Sequence, residues 1–262
     1  MENNGYLVVA SRKSSFYSLA INLIESIKDY NPDANCCLVT EERFIDTRAD
    51  CADHIIHCDD HVRAKLYGMT KTPYDKTMYI DADCEVVHED IAKCFDELKD
   101  FDVMFTHLSD DRKYIFREVY FPAGRLELCG GVCLYDYSKQ IVKDFLQDWW
   151  DLHQKQTAHE WWPTKEFKDW RVASTEDKPN WDDEQYPRTL SRWDQFSLWW
   201  LTKKDPKYCD EALKVGIFED DIRWNWYTSY DPNRNQAKSP VVIEHYSNMA
   251  PKNDDLYAVN YD

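Results

Sequence analysis

Thr77-Met78-Tyr79-Ile80-Asp81-Ala82-Asp83 decides how this chain is read. Thr77 to Ile80 reads as a buried strand, and it runs straight into two carboxylates that flank one small residue. The small residue lets the chain bend, so both carboxylates can serve one place. Hard oxygen ligands of this kind suit Mg²⁺ or Mn²⁺, which keep open positions for substrate phosphates. The plain alternative is an acidic turn that merely ends a strand, so the surroundings of the pair decide its meaning.

On the N-terminal side, Tyr6-Leu-Val-Val-Ala10 reads as a short buried strand. Phe16 to Tyr30 carries Leu19, Ala20, Leu23, Ile24 and Ile27 at helical spacing, and Asn31-Pro32-Asp33 stops it. Cys36 to Thr40 and Ile55 to His57 read as strands, Val62 to Thr70 as a helix, and Thr72-Pro-Tyr-Asp75 as a turn. Beyond the acidic pair, Asp90 to Leu98 reads as a helix capped by Glu89 or Asp90, and Asp102 to Thr106 as a strand. Such alternation predicts an α/β fold with a mixed, mostly parallel central sheet flanked by helices. Ligands of these sheets bind beyond the carboxyl ends of the strands, where Ser11-Arg12 and Asp81-Ala82-Asp83 fall.

In the second half, Leu128-Cys-Gly-Gly-Val-Cys-Leu-Tyr135 sets two glycines in an apolar strand. Ser138 to Lys155 reads as a long helix capped by Ser138, 158–188 as an irregular loop region, and Ser191 to Lys203 as a helix bearing Asp194 and Gln195. Val241 to Ile243 reads as a last strand leading into Glu244-His245-Tyr246.

The 262 residues fit one large domain or two small ones, and 43% hydrophobic content excludes wholesale disorder. A net charge of −17 repels DNA, RNA and anionic lipid, so no nucleic-acid partner is expected. No apolar run approaches the ~20 residues of a membrane span, and Met1-Glu-Asn-Asn-Gly5 has no basic and apolar leader pattern. Nine scattered cysteines without a CxxC read as reduced thiols. A cytoplasmic protein is the expectation. All 11 tryptophans lie between Trp149 and Trp226, the one real shift in composition.

With Ala64-Lys65-Leu66-Tyr67 and Thr72 to Ile80 upstream, Asp81-Ala82-Asp83 resembles the nucleotide-sugar-dependent glycosyltransferases of the GT-A fold. The likeness is closest to glycosyltransferase family 8 and similar small viral or bacterial enzymes. It covers most of 6–135 and returns at 191–252. It implies that Asp81 and Asp83 hold a divalent cation, Mn²⁺ or Mg²⁺, on the donor diphosphate, with His245 as third ligand. It also implies a nucleoside cradle at Ala10-Ser11, and Lys65 near the donor. Gly130-Gly131 would line the donor sugar, although Cys129 stands where the family has Asn. Lys252 would approach the pyrophosphate, one residue later than the family's lysine, with Asn248 in place of its glycine. Asp194-Gln195 matches a pair that opens a helix across the family's active site, and Asp194 is the candidate for electrostatic support or for a base; an ordinary helix cap is the alternative. The resemblance favours a UDP-sugar donor and retention of configuration. One domain is expected, with a donor half at 1–135 and an acceptor half, including the metal-ligand tail, at 136–262.

Indole faces stack on sugars, so Trp161, Trp162, Trp170, Trp181, Trp224 or Trp226 could line an acceptor site for a glycan or other hydroxyl compound; core packing is the plain alternative. The doublets Trp149-Trp150 and Trp199-Trp200 fall inside helices and are read as packing. Two other functions fit the fold class. A sugar-phosphate nucleotidyltransferase usually opens with a glycine-rich loop, which Ala10-Ser-Arg-Lys-Ser-Ser15 lacks. A non-catalytic nucleotide-sugar or carbohydrate binder would not need Asp81, Asp83 and His245 intact.

Overall fold

The computed structural model describes residues 3–107, 128–158, 160–161, 194–209, 211–228 and 237–246. Seven strands form the main sheet in the order β3-β2-β1-β4-β7-β6-β8. They are β1 (Asn4–Ala10), β2 (Cys36–Thr40), β3 (His54–His57), β4 (Lys76–Asp81), β6 (Val103–His107), β7 (Leu128–Asp136) and β8 (Val215–Ile217). Pairing is parallel from β3 through β4 and again between β6 and β8. Strand β7 runs antiparallel to both its neighbours. The expected mixed, mostly parallel sheet is therefore the one observed.

The strand residues explain the layering. In β1, Tyr6, Val8 and Ala10 enter one core and Leu7 and Val9 the other, so successive side chains feed opposite faces. A strand buried on both faces has no polar side to show, which is why β1 and β2 read as unbroken apolar runs. Helix α1 (Ser14–Tyr30) covers the first face through Leu19, Ala20, Leu23, Ile24 and Ile27. A 3₁₀ segment, Glu89–Leu98, adds Ile91, Cys94 and Leu98 to the same core. The second face takes α2 (Ala64–Met69), α3 (Gln140–Thr157) and α4 (Asp194–Lys203). There Phe145, Trp149, Leu198 and Leu201 pack on Phe105, Cys133 and Tyr135. Full burial of each such side chain stabilises by about 1.5–3 kcal/mol before the entropy of ordering is counted.

A second sheet of three short strands has the order β5-β10-β9: β5 (Cys84–Val86), β10 (Ile243–His245) and β9 (Trp226–Tyr227). Helix α5 (Asp221–Trp224) leads into β9.

Several local expectations shift. The cap at Glu89–Leu98 is His88, whose Nδ1 accepts from the Asp90 N–H at 3.1 Å, and the segment winds as 3₁₀ rather than α-helix. Helix α3 starts two residues after Ser138, whose hydroxyl is held by Asp136 instead of capping. The last strand includes His245, with Cys84 directly opposite, rather than ending before it. Residues 191–193, the expected start of α4, lie outside the described residues, as does almost all of 158–188. No helix among the described residues is long and apolar enough to cross a membrane.

Candidate active site

The strand order places β1 and β4 side by side, with Val9 opposite Asp81. Both end at the same edge, and segments from the rest of the chain bring further groups to it.

The first group is ionic. Asp81 closes β4, and its carboxylate takes the Tyr79 hydroxyl and, at 3.3 Å, the Lys65 ammonium. Lys65 reaches in from α2 and also bonds the Gly130 carbonyl at 3.1 Å and Asp194 Oδ2 at 3.2 Å. Arg63 Nε lies 3.0 Å from the other Asp194 oxygen. Asp194 opens α4 with its side chain only 1% exposed. Burial alone would raise its carboxyl pKa, but Lys65 and Arg63 outweigh burial and hold it far below the usual carboxylate range. Lys65 is affected in the mirror sense: burial disfavours its charge, and Asp194 and Asp81 more than restore it. Burial raises the Asp81 carboxyl even with Lys65 beside it, and the Asp83 charge pushes the same way.

The second group is a mixed ligand set. His245 Nε2 faces Asp83 Oδ1 at 3.3 Å. Carboxylate, imidazole and thiol atoms of Asp83, Cys84 and His245 all lie within 4.8 Å of one another. His245 is 4% exposed, its Nδ1 is 2.7 Å from Asn225 Oδ1, and the Tyr227 ring stacks on it at 4.5 Å.

The glycines of β7 join the two groups. A Cβ on Gly131 would stand 2.8 Å from Asp81 Oδ2, 3.1 Å from His245 Cε1 and 3.4 Å from Cys129 Sγ. One on Gly130 would stand 2.9 Å from Asp194 Oδ2 and 3.1 Å from the Trp149 ring. Side chains there would fill the space that the acidic and imidazole groups face, so the pair is kept bare. Asp81 stands outside the Asp83, Cys84 and His245 cluster and is held by Lys65 and Tyr79, but it faces the same cleared backbone as His245. Carboxylate and imidazole donors suit a divalent cation of the Mg²⁺ or Mn²⁺ type.

The expected site residues fall as follows. Lys65, Asp81, Gly130, Gly131 and Asp194 are in contact, and Asp83 and His245 meet beside them. Ala82, 8% exposed, is the buried spacer between the two carboxylates. Ala10 ends β1, and Ser11 follows with its hydroxyl 2.9 Å from Glu41 Oε1 and accepting the His61 N–H at 3.2 Å. Lys252, Trp162, Trp170 and Trp181 lie outside the described residues. Trp224 is core, packed on Phe218, whereas Trp161 and Trp226 are half-buried. Trp149 is core too, and Trp150, Trp199 and Trp200 are half-buried on their helices.

Arg63, Asn225, Tyr227 and Cys84 complete the site without having been singled out by the sequence. Gln195 stands in the sequence only as Asp194's companion, yet its buried Oε1 has no hydrogen-bond partner among the described residues.

No protein-family model matches the chain, and no curated protein matches it in sequence. Solved structures do match in fold. The galactosyltransferase LgtC, in complex with donor and acceptor sugar analogs, aligns with a TM-score of 0.53 at 15% identity over 94% of this chain and 87% of its own. The glycosyltransferase GlyE of Streptococcus pneumoniae TIGR4 gives 0.55 at 16% identity, over 94% of this chain and 54% of its own. Mouse xyloside xylosyltransferase 1 gives 0.54 at 12% identity, over 93% and 98%. This chain therefore has the fold of these glycosyltransferases, a mixed α/β sheet with its polar cluster at the edge where β1 and β4 end.

Proposed function

We propose that the protein is a metal-dependent glycosyltransferase that moves a sugar from a nucleotide-sugar donor, UDP-linked, to an acceptor hydroxyl with retention of configuration. The observation that carries this is that Asp83 meets His245 at 3.3 Å, while the His245 ring and the Asp81 carboxylate face the same bare backbone at Gly131. Asp81, Asp83 and His245 would hold the cation, Mn²⁺ or Mg²⁺. Bound there, it supplies Lewis-acid stabilisation of the charge on the departing nucleoside diphosphate.

The chain's own groups do the rest. Lys65 is a fixed positive charge at the donor end, kept protonated by two carboxylates. Gly130 and Gly131 give the donor sugar a floor of backbone. Asp194 is ionised, buried and already paired with two cations, so it makes a poor proton acceptor; its chemistry favours electrostatic support over a base. Retention agrees with the lack of a free base at this carboxylate. Next to it, Gln195 offers a carbonyl oxygen that has no partner among the described residues. Ala10 and Ser11 would cradle the nucleoside, with the Ser11 hydroxyl and the Arg12 N–H both tied to Glu41. Lys252 would add charge near the pyrophosphate. Residues 1–135 would handle the donor and 136–262 the acceptor, a glycan or other hydroxyl compound, within one domain. Nine free cysteines suit a cytoplasmic setting.

Isothermal titration with UDP, with and without Mn²⁺, tests the reading. Tight binding only in the presence of the ion is expected. Binding that ignores the ion, or none at all, removes the metal-dependent donor site. A panel of UDP- and GDP-sugars read by thermal shift then names the donor.

A further inference from the structure

We infer that Asn225 is a positioning residue that fixes which nitrogen of His245 is free to bind the cation. The inference rests on the cation reading above and adds a residue to it. A neutral imidazole has one N–H and one lone pair, and its hydrogen bonds decide which nitrogen carries which. His245 Nε2 points at Asp83 Oδ1, 3.3 Å away, so Nε2 is the nitrogen on the ligand side. It can bind a cation only with its lone pair exposed. The proton then sits on Nδ1 and needs an acceptor, and Asn225 Oδ1 is 2.7 Å from it.

The amide is itself held from behind. Asn225 Nδ2 donates to Thr106 Oγ1 at 2.8 Å and lies 3.4 Å from Cys129 Sγ. With its nitrogen engaged on that side, the amide turns its oxygen to the imidazole. Asn225 is 4% exposed and His245 4%, so water is a poor substitute for this bond. Tyr227 stacks on the ring with planes 22° apart and limits its tilt. Tyr227 sets the plane of the imidazole and Asn225 sets its proton. Outer-shell partners of this type typically change metal affinity 10–100-fold when removed.

Two measurements test this on the intact chain. The first is Mn²⁺ affinity by electron paramagnetic resonance. Asn225→Ala is expected to weaken it tenfold to a hundredfold, and Asn225→Asp, which keeps an acceptor at the same place, to stay near wild type. Wild-type affinity in Asn225→Ala, or an equal loss in both variants at unchanged melting temperature, overturns the inference. The second is the ¹⁵N spectrum of histidine-labelled wild-type protein without metal, with His245 assigned by its loss in His245→Ala. An Nδ1–H tautomer supports the inference, and an Nε2–H tautomer overturns it even if Asn225→Ala does not fold. A wild type that takes up no Mn²⁺ defeats the cation reading, and the imidazole spectrum then decides Asn225 alone.

Discussion

Lys65 and Asp194 form a nearly buried ion pair, 3.2 Å apart, with side chains 12% and 1% exposed. The same ammonium binds Asp81 at 3.3 Å, so one lysine from α2 neutralises carboxylates from β4 and α4. Removing it leaves those carboxylates short of a partner in a place with little water. Lys65→Ala should therefore destabilise the fold by about 3–5 kcal/mol, the usual cost of breaking a buried pair from one side. Urea unfolding measures it, and a loss under about 1 kcal/mol would mean the pair is well solvated.

The pair also sets a pH window. The folded pKa of Asp194 is depressed, so the unfolded chain takes up its proton first as the solution is acidified. Its contribution is complete above the unfolded carboxyl value of about 3.9 and fades as pH falls toward the lower folded value. Lys65 is raised, so its contribution is complete below about 10.4 and fades as pH climbs through the higher folded value. Asp194→Asn should flatten the acid limb of the stability curve relative to wild type. Unchanged acid limbs in the two proteins would count against the pairing.

Asp83→Ala should abolish Mn²⁺-dependent turnover with little effect on melting, because the Asp83 side chain is one-third exposed and lies at a turn. Asp81→Ala should remove turnover too, but with a lower melting temperature, since it strands the Tyr79 hydroxyl and half of the Lys65 pairing. Activity at ordinary Mn²⁺ concentration in Asp83→Ala would end its assignment as a ligand.

Gly131→Ala should weaken Mn²⁺ binding by roughly tenfold, since outer contacts alone shift metal affinity by that much. The added methyl would press on Asp81 Oδ2 from 2.8 Å and on the His245 ring from 3.1 Å. Titration of the metal into the variant checks this. Affinity equal to wild type would show that the ring and the carboxylate yield without loss.

Trp161 sits against Trp200, ring centroids 5.8 Å apart, and is half-buried. If it offers its other face to an acceptor, Trp161→Ala should slow transfer to acceptor more than hydrolysis of the donor by water. Equal loss in both, with a lower melting temperature, would assign it to packing.

Much of this molecule can be read from residue order alone. β1, β2, β4 and α1 are legible because each sets apolar residues at the spacing its environment demands. The acidic pair after β4 is legible because it interrupts such a run. What escapes is what depends on contacts between distant segments. Arg63 precedes a helix of only six residues, and nothing near it hints at Asp194. Asn225 stands in a tryptophan-rich stretch with no period, and its meaning comes from Thr106, Cys129 and His245, all far off in the chain. The reversed run of β7 is equally silent, because an antiparallel strand buried on both faces has the same composition as a parallel one.

The small sheet has a consequence for how the site assembles. Strand β5 follows the acidic pair, whereas β10 comes from the far end of the chain, and no strand of the seven-stranded sheet pairs with either. That sheet can complete its pairing before β10 arrives. The proposed cation site would therefore be closed late, by a three-residue strand that brings His245 onto Cys84. A chain interrupted during synthesis before β10 would carry the large sheet without the imidazole. Competence to bind the cation would then mark chains that have finished folding.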